Sequence, residues 1–222
     1  MSDAQEGTGA ARSGGTAARM KGAVMAMGML PVLILLAIGF ELMTGKFLSV
    51  NNLSIVTQQA SINVVLAAGM TFVILTGGID LSVGAVLAAS AMAAVSMSLI
   101  PHLGLLGIPA GLAVGLVFGL ANGCLIAFLG LPPFIVTLGS LTAVRGVARL
   151  MGDDTTVFNA DLPFEFIGNG TLFGVPWLAI FALITVVVSW FILRRTVLGT
   201  WIYAVGGNPE AARLTGIKVS LV

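Results

Sequence analysis

The chain has 222 residues, 58% of them hydrophobic and 9% charged, and its ten Lys and Arg nearly balance nine Asp and Glu for a net charge of +1. A soluble domain carries about a quarter charged residues, and the mean hydropathy here is +1.08, so the composition excludes an ordinary water-soluble fold and belongs to the membrane class. The near-neutral balance excludes a general attraction to nucleic acid. The single Cys124 excludes an internal disulfide, has no metal-site spacing around it, and reads as a small apolar filler.

Residues 1–20 are rich in Ala, Gly, Ser and Thr, show no apolar period, and are expected to form a disordered tail. The apolar run Gly22–Phe40 follows Arg12, Arg19 and Lys21, exceeds a signal-peptide core and lacks a small-x-small cleavage site, so it reads as an uncleaved first span. Five further spans are expected at Leu53–Thr76, Asp80–Leu99, Pro109–Gly130, Pro133–Leu150 and Val175–Leu193, each near the ~20 residues needed to cross hydrocarbon about 30 Å thick. The expected fold is therefore all-α: a polytopic membrane bundle of about six transmembrane helices, with residues 21–222 as one transmembrane domain.

Basic residues set the direction. With the N-terminus cytoplasmic, Arg12, Arg19, Lys21, Arg194, Arg195, Arg213 and Lys218 fall inside, while Lys46 and the acidic loop 151–175 fall outside.

Gln58, Gln59, Ser61 and Asn63 form a polar cluster in the second span. Lipid cannot satisfy their hydrogen bonds, so some face the bundle interior. Two readings stay open: amides that line a pathway for a neutral polyhydroxylated solute, or glue between helices.

The stretch TGGIDLSVGAV follows, and its Asp80 is the only Asp, Glu, Lys or Arg between Lys46 and Arg145. Leu53–Leu99 is far too long for one span, so GGI must be the turn of a helical hairpin. Gly77 and Gly78 supply the backbone angles a tight turn needs. Asp80 is expected at the N-cap of the following helix, accepting from the backbone of Ser82 or Val83. A gating or coupling role for its charge, and a proton relay, are the alternatives.

The fourth span carries Gly111, Gly115, Gly119 and Gly123 four residues apart, a face that lets another helix approach closely, by static packing or as a moving seam. Asn122 beside it is expected to bond a neighbouring helix. Pro132 and Pro133 open the fifth span, as proline suits a first helical turn. Further along it Arg145 and Arg149 share a face and either snorkel to the headgroups or line a wet vestibule. After Arg195, the segment from Asn208 to Gly216 has the grammar of a short exposed helix: Asn208 as cap, Pro209 at the first position, Glu210 in the first turn, Gly216 as terminator. At about seven residues it cannot persist alone, so a neighbour must hold it. There is no phosphate-binding Gly-rich loop with lysine, no Ser-His-Asp set and no metal-ligand spacing. No enzyme activity, cofactor or metal is expected.

Three stretches, Gly69–Ala88, Leu131–Gly146 and Leu198–Val219, in this order resemble the permease subunits of ribose-type ATP-binding-cassette (ABC) importers of monosaccharides. Glu210, Ala211, Ala212 and Gly216 match the EAA-x-x-x-G pattern of such permeases. The resemblance implies an inner-membrane homodimer with ABC ATPase subunits on the cytoplasmic side, docked on the 208–216 helix, and a periplasmic sugar-binding protein outside. It also implies further membrane helices beyond Val222, so that the chain looks truncated at its C-terminus. The expected function is the permease part of an ATP-driven sugar importer, with Gln58, Gln59, Asn63, Asn122 and Arg145 as candidate pathway residues. A proton-coupled secondary transporter and a non-transporting membrane scaffold are the rival readings.

Overall fold

A computed structural model describes residues 28–222. The expected tail, and the start of the first expected span, lie outside the described residues.

The chain runs α1 (Leu30–Thr44), α2 (Val50–Leu75), α3 (Val83–Ser98), a single 3-10 turn (Gly104–Leu106), α4 (Gly107–Ala127), α5 (Pro133–Met151) and α6 (Glu165–Asn169). A two-stranded hairpin, β1 (Thr171–Leu172) and β2 (Val175–Pro176), leads into α7 (Trp177–Arg195), α8 (Val197–Gly207), α9 (Pro209–Leu214) and a last 3-10 turn (Val219–Leu221). Two compact units are present, and the division falls within α2, between Ile55 and Val56.

In the first unit, α1 runs past the expected end at Phe40 and stops at Gly45, whose φ of 61° and N–H bond of 2.7 Å to the Glu41 carbonyl end the helix. The Glu41 carboxylate accepts the Leu48 N–H at 2.8 Å, and the Phe40 and Phe47 rings stack 5.8 Å apart, fixing the link to α2.

The second unit is built around α3. Ala85 and Ala89 of α3 are buried with Val144 and Ala148 of α5, and Val114 and Phe118 of α4 pack against them. Small side chains on α3 let both neighbours approach closely. At Gly107 an added Cβ would overlap the Ala94 carbonyl oxygen and lie 2.7 Å from the Phe164 ring; at Gly111 it would lie 2.9 Å from the Ser90 carbonyl oxygen. Gly115 is close to the Ser90 hydroxyl, whereas Gly119 and Gly123 meet nothing within 4 Å. The expected glycine face is thus a packing seam over its first half only, and the seam begins one turn earlier, at Gly107. Cys124, expected as buried filler, is exposed on the half of α4 past that seam.

Helices over Val50–Leu75, Gly104–Ala127, Pro133–Met151 and Trp177–Arg195 are long and apolar enough to cross a membrane, and α1, α3 and α8 are shorter apolar helices. The 16-residue α3 is about 24 Å long at ~1.5 Å per residue. It is shorter than the expected Asp80–Leu99 because residues 76–82 form the turn.

At the far end of α3, Asn159 donates through Nδ2 to the Ser98 carbonyl at 3.1 Å and to Ser98 Oγ at 2.9 Å, which ties the loop after α5 to the α3–α4 connection. The β1–β2 hairpin turns through Phe173 (φ 52°) and Gly174 (φ 83°), the positive pair that a two-residue turn of right-handed twist requires.

No local signal in the residues marks α8 as a separate helix. Thr196, at φ −120° and ψ 159°, interrupts the backbone after α7, and its Oγ1 accepts the Gly199 N–H at 3.3 Å. Gly199 lies against the Ile192 and Leu193 carbonyl oxygens, so only a residue without a side chain fits the bend. Ile202 and Val205 then bury one face of α8.

Two alanine substitutions test the α3–α4 seam. Gly107→Ala forces a Cβ into backbone and is expected to cost about 1–3 kcal/mol, whereas Gly119→Ala should be neutral or stabilising by up to about 1 kcal/mol. Thermal unfolding of the purified protein in detergent reads the difference, and equal effects would overturn the seam.

Candidate functional site

The residues singled out around Asp80 form a junction of helices. Gly77 has φ 86°, its N–H donates to the Ile74 carbonyl at 3.0 Å, and the Gly78 N–H donates to Val73 at 2.9 Å. This pair of bonds around a left-handed glycine is the Schellman ending, and it closes α2. At Gly78 an added Cβ would lie 3.2 Å from Val73 Cγ1 and 3.8 Å from Pro133 Cβ, so α5 crowds the turn as well.

Asp80 accepts two hydrogen bonds on Oδ1, from the Ser82 N–H at 2.7 Å and the Ser82 hydroxyl at 2.6 Å. The expected N-cap position is corrected here: α3 begins at Val83 with Ser82 in the cap position, and Asp80 stands two residues earlier. Its carboxylate closes a local turn onto Ser82 and makes no bond to Val83, because a bond to the residue two ahead competes with capping of the first helical turn. Ser82 is fully buried and passes the chain of bonds onward: Asn122 of α4 donates through Nδ2 to Ser82 Oγ at 3.0 Å. The Thr137 hydroxyl of α5 lies 3.1 Å from the Ile79 carbonyl and 2.9 Å from the Pro133 carbonyl and shares its proton between them. Turn, α4 and α5 are thereby joined by side chains.

Gly206, near the end of α8, closes the junction from another side. Its Cα abuts the end of α2 so closely that an added Cβ would overlap the Leu75 carbonyl oxygen. No signal in the sequence marked this residue, since a glycine pair before a cap reads simply as a helix end.

Asn208 caps α9 as its sequence predicts in form: at φ −160° and ψ 101° its Oδ1 accepts the Ala211 N–H at 3.0 Å, with Pro209 in the first turn. Arg213 and Glu210 pair at 2.9 Å on the exposed face. Gly216 (φ 88°) ends the segment, its N–H bonding to Arg213 at 3.0 Å and the Ile217 N–H to Ala212 at 3.1 Å, a second Schellman ending. Ala212 is 4% exposed, so its small side chain serves packing within the chain and cannot be the surface another protein meets. Glu210, Ala211 and Arg213 face outward, and with them Leu214, 91% exposed, which the sequence reading passed over. An apolar residue following a charged pair on the outer face was the available signal.

The candidate pathway residues are not brought together. Gln58 is half-buried, and Gln59 and Asn63 are exposed on α2; Ser61 is buried and bonds the Thr57 carbonyl at 2.6 Å. Asn63 lies twelve residues before Leu75, about 18 Å at ~1.5 Å per residue. Asn122 is 6% exposed and donates to Ser82, the expected bond to a neighbouring segment. Arg145 is exposed on α5, as is Arg149. Cavities of about 320 Å³, lined by Ser98, His102 and Pro163, and about 280 Å³, lined by Asn159, Glu165 and Asn169, lie at the opposite end of α3 from Asp80 and include none of these residues. Among the described residues no group of His, Cys, Asp and Glu is placed to hold a metal ion.

Residues 52–222 match the family described as the branched-chain amino acid transport system / permease component. The chain belongs to that family. It is 41% identical to the ribose import permease of Haemophilus influenzae over 86% of this chain and 60% of that protein. It is 38% identical to the D-allose transport system permease of Escherichia coli K12, over 84% of this chain and 57% of that one. With the fructose import permease of Bifidobacterium longum the identity is 41%, over 72% and 46%. The chain thus spans about 60% of the length of the ribose relatives it matches. No solved structure matches it. The fold is accordingly that of a polytopic membrane permease, all-α apart from one small hairpin.

Two substitutions at Asp80 separate its geometry from its charge. Asp80→Asn keeps an Oδ1 acceptor and is expected to lose less than about 1 kcal/mol, whereas Asp80→Leu leaves two donors at Ser82 unmet and should lose about 1–3 kcal/mol. Unfolding in detergent measures both, and equal losses would mean that charge, and not acceptor geometry, holds the turn.

Proposed function

We propose that this permease is the membrane-spanning part of an ATP-driven importer of a monosaccharide of the ribose type in the inner membrane. The observation that carries the reading is its likeness, over 86% of the chain, to a ribose import permease, together with its likeness to an allose transport permease and a fructose import permease. The chain catalyses no chemistry in this reading. Its partners are a cytoplasmic ABC ATPase, a periplasmic sugar-binding protein and a second permease copy, within lipid. Residues 21–222 act as one permease domain, and residues 1–20 as a cytoplasmic tail.

The basic residues favour a cytoplasmic N-terminus, which puts the 76–82 turn and α9 on the cytoplasmic side and the loop before α7 outside. We assign the ATPase contact to α9. Its six residues are too few to persist alone, yet they are capped at both ends and tied to α8. Its outer face presents Glu210, Ala211, Arg213 and the exposed Leu214, an apolar anchor beside charges of the kind protein interfaces use. Arg145, Gln58, Gln59 and Asn63 remain the proposed polar residues of the solute path.

Three expected outcomes test this reading in the permease extended to family length. In membrane vesicles carrying the whole importer, uptake of ribose should require ATP and survive a protonophore; uptake that collapses with the proton gradient would favour the secondary transporter. In a Cys124→Ser background, single cysteines replacing Asp161 and Arg213 should label from opposite sides of the membrane, and labelling of both from one side would overturn the orientation. Leu214→Asp should insert normally and lose the ATPase on co-purification. Retention of the ATPase would remove α9 from the interface.

A further inference from the structure

We propose that Gly206 is a positioning residue for energy coupling: its backbone contact with the end of α2 carries movement of α9 to the 76–82 turn and from there to the α3–α4–α5 core. The inference rests on the reading of α9 as the ATPase contact and goes beyond it by naming the link.

Between Gly206 and α9 there is no slack. Only Gly207 separates Gly206 from the cap Asn208, whose N–H bonds back to the Ala204 carbonyl at 3.1 Å, so the end of α8 and the start of α9 are joined. Ile202 and Val205 anchor α8 on its buried face, 3% and 5% exposed, which makes the helix a lever with a fixed side.

On the other side the three atoms nearest to an added Cβ are all backbone. An added Cβ at Gly206 would overlap the Leu75 carbonyl oxygen, lie 2.9 Å from the Leu75 carbonyl carbon and 3.5 Å from Thr76 Cα. A side chain can rotate out of the way; a carbonyl at the end of a helix cannot, so displacement of Gly206 must displace the turn. The turn in turn has two side-chain attachments to other helices, Asn122 of α4 to Ser82 and Thr137 of α5 to Ile79, and Asp80 braces Ser82 from within it. Close-packed contacts of this kind shift between discrete arrangements and do not yield gradually. The neighbouring Gly207 meets nothing within 4 Å, which provides a control one residue away.

The test uses the assembled importer with the permease at family length, its ATPase and its sugar-binding protein, in lipid nanodiscs, comparing Gly206→Ala with Gly207→Ala. Both variants should retain the ATPase on co-purification. Gly207→Ala should keep the stimulation of ATP hydrolysis by ribose-loaded binding protein, while Gly206→Ala should reduce that stimulation by about tenfold, within the usual range of coupling between sites. Full stimulation in Gly206→Ala, or equal loss in Gly207→Ala, would overturn the proposal. A second measurement needs no substitution: on trapping the unmodified complex with ATP and vanadate, amide exchange at residues 74–79 should change together with that at 209–214, and an unaltered 74–79 segment also overturns it. Retention of the ATPase by Leu214→Asp would defeat the α9 reading instead. If Leu214→Asp releases the ATPase while Gly206→Ala keeps full stimulation, only the link fails.

Discussion

A membrane helix that breaks and turns back leaves backbone groups that lipid cannot hydrogen-bond, each costing several kcal/mol if unmet. The chain turns back between Leu75 and Val83 with Ser82 fully buried in the protein, and the rest of its second unit is arranged around the groups freed there. Two glycine N–H groups return to α2, the Asp80 carboxylate takes the backbone and hydroxyl of Ser82, and Thr137 reaches the Ile79 carbonyl. Among the described residues, no buried side-chain nitrogen or oxygen lacks a partner. The lone acid in an apolar stretch is explained by this demand: a carboxylate offers the strongest acceptor for two converging donors.

That same turn sets how closely the helices lie. Holding Asn122 and Thr137 against it draws α4 and α5 to α3, where Val114, Phe118 and Val144 pack on the small Ala85 and Ala89 and Gly111 lies against the Ser90 carbonyl. Polar attachment at one end and glycine packing towards the other are therefore one design, since hydrocarbon gives helices no hydrophobic reason to associate. The proposed coupling path uses this stiffness and adds Gly206 as its point of entry.

Much of this was legible in the residues. The spans follow from apolar length, the hairpin from two glycines before an acid, and the α9 cap from Asn208–Pro209–Glu210, because each signal is local. Some of the failures come from distance along the chain, others from local backbone geometry. Asn122 could be expected to bond a helix but not Ser82, forty residues away. The inward face of Ala212 depends on how α9 lies on α8, which no neighbouring residue dictates. The short α8 escaped because its bend rests on the Thr196 hydroxyl, which donates to the Ile192 carbonyl and accepts from the Gly199 N–H, and on Gly199 fitting beneath two carbonyls. The bond from the Ser82 N–H to Asp80 is legible in the sequence, but the cap position falls on Ser82, a distinction that only backbone angles make.

The separation of the turn from its partners also bears on how the protein is made. Thr137 follows Ile79 by 58 residues, so at ~5–20 residues per second about 3–12 s of synthesis pass before the partner even exists. Throughout that interval the Ile79 carbonyl lacks the donor that α5 later brings, so the bonded arrangement of the turn cannot be complete before α5 is made. An early turn of this permease is in this sense finished by a residue made much later.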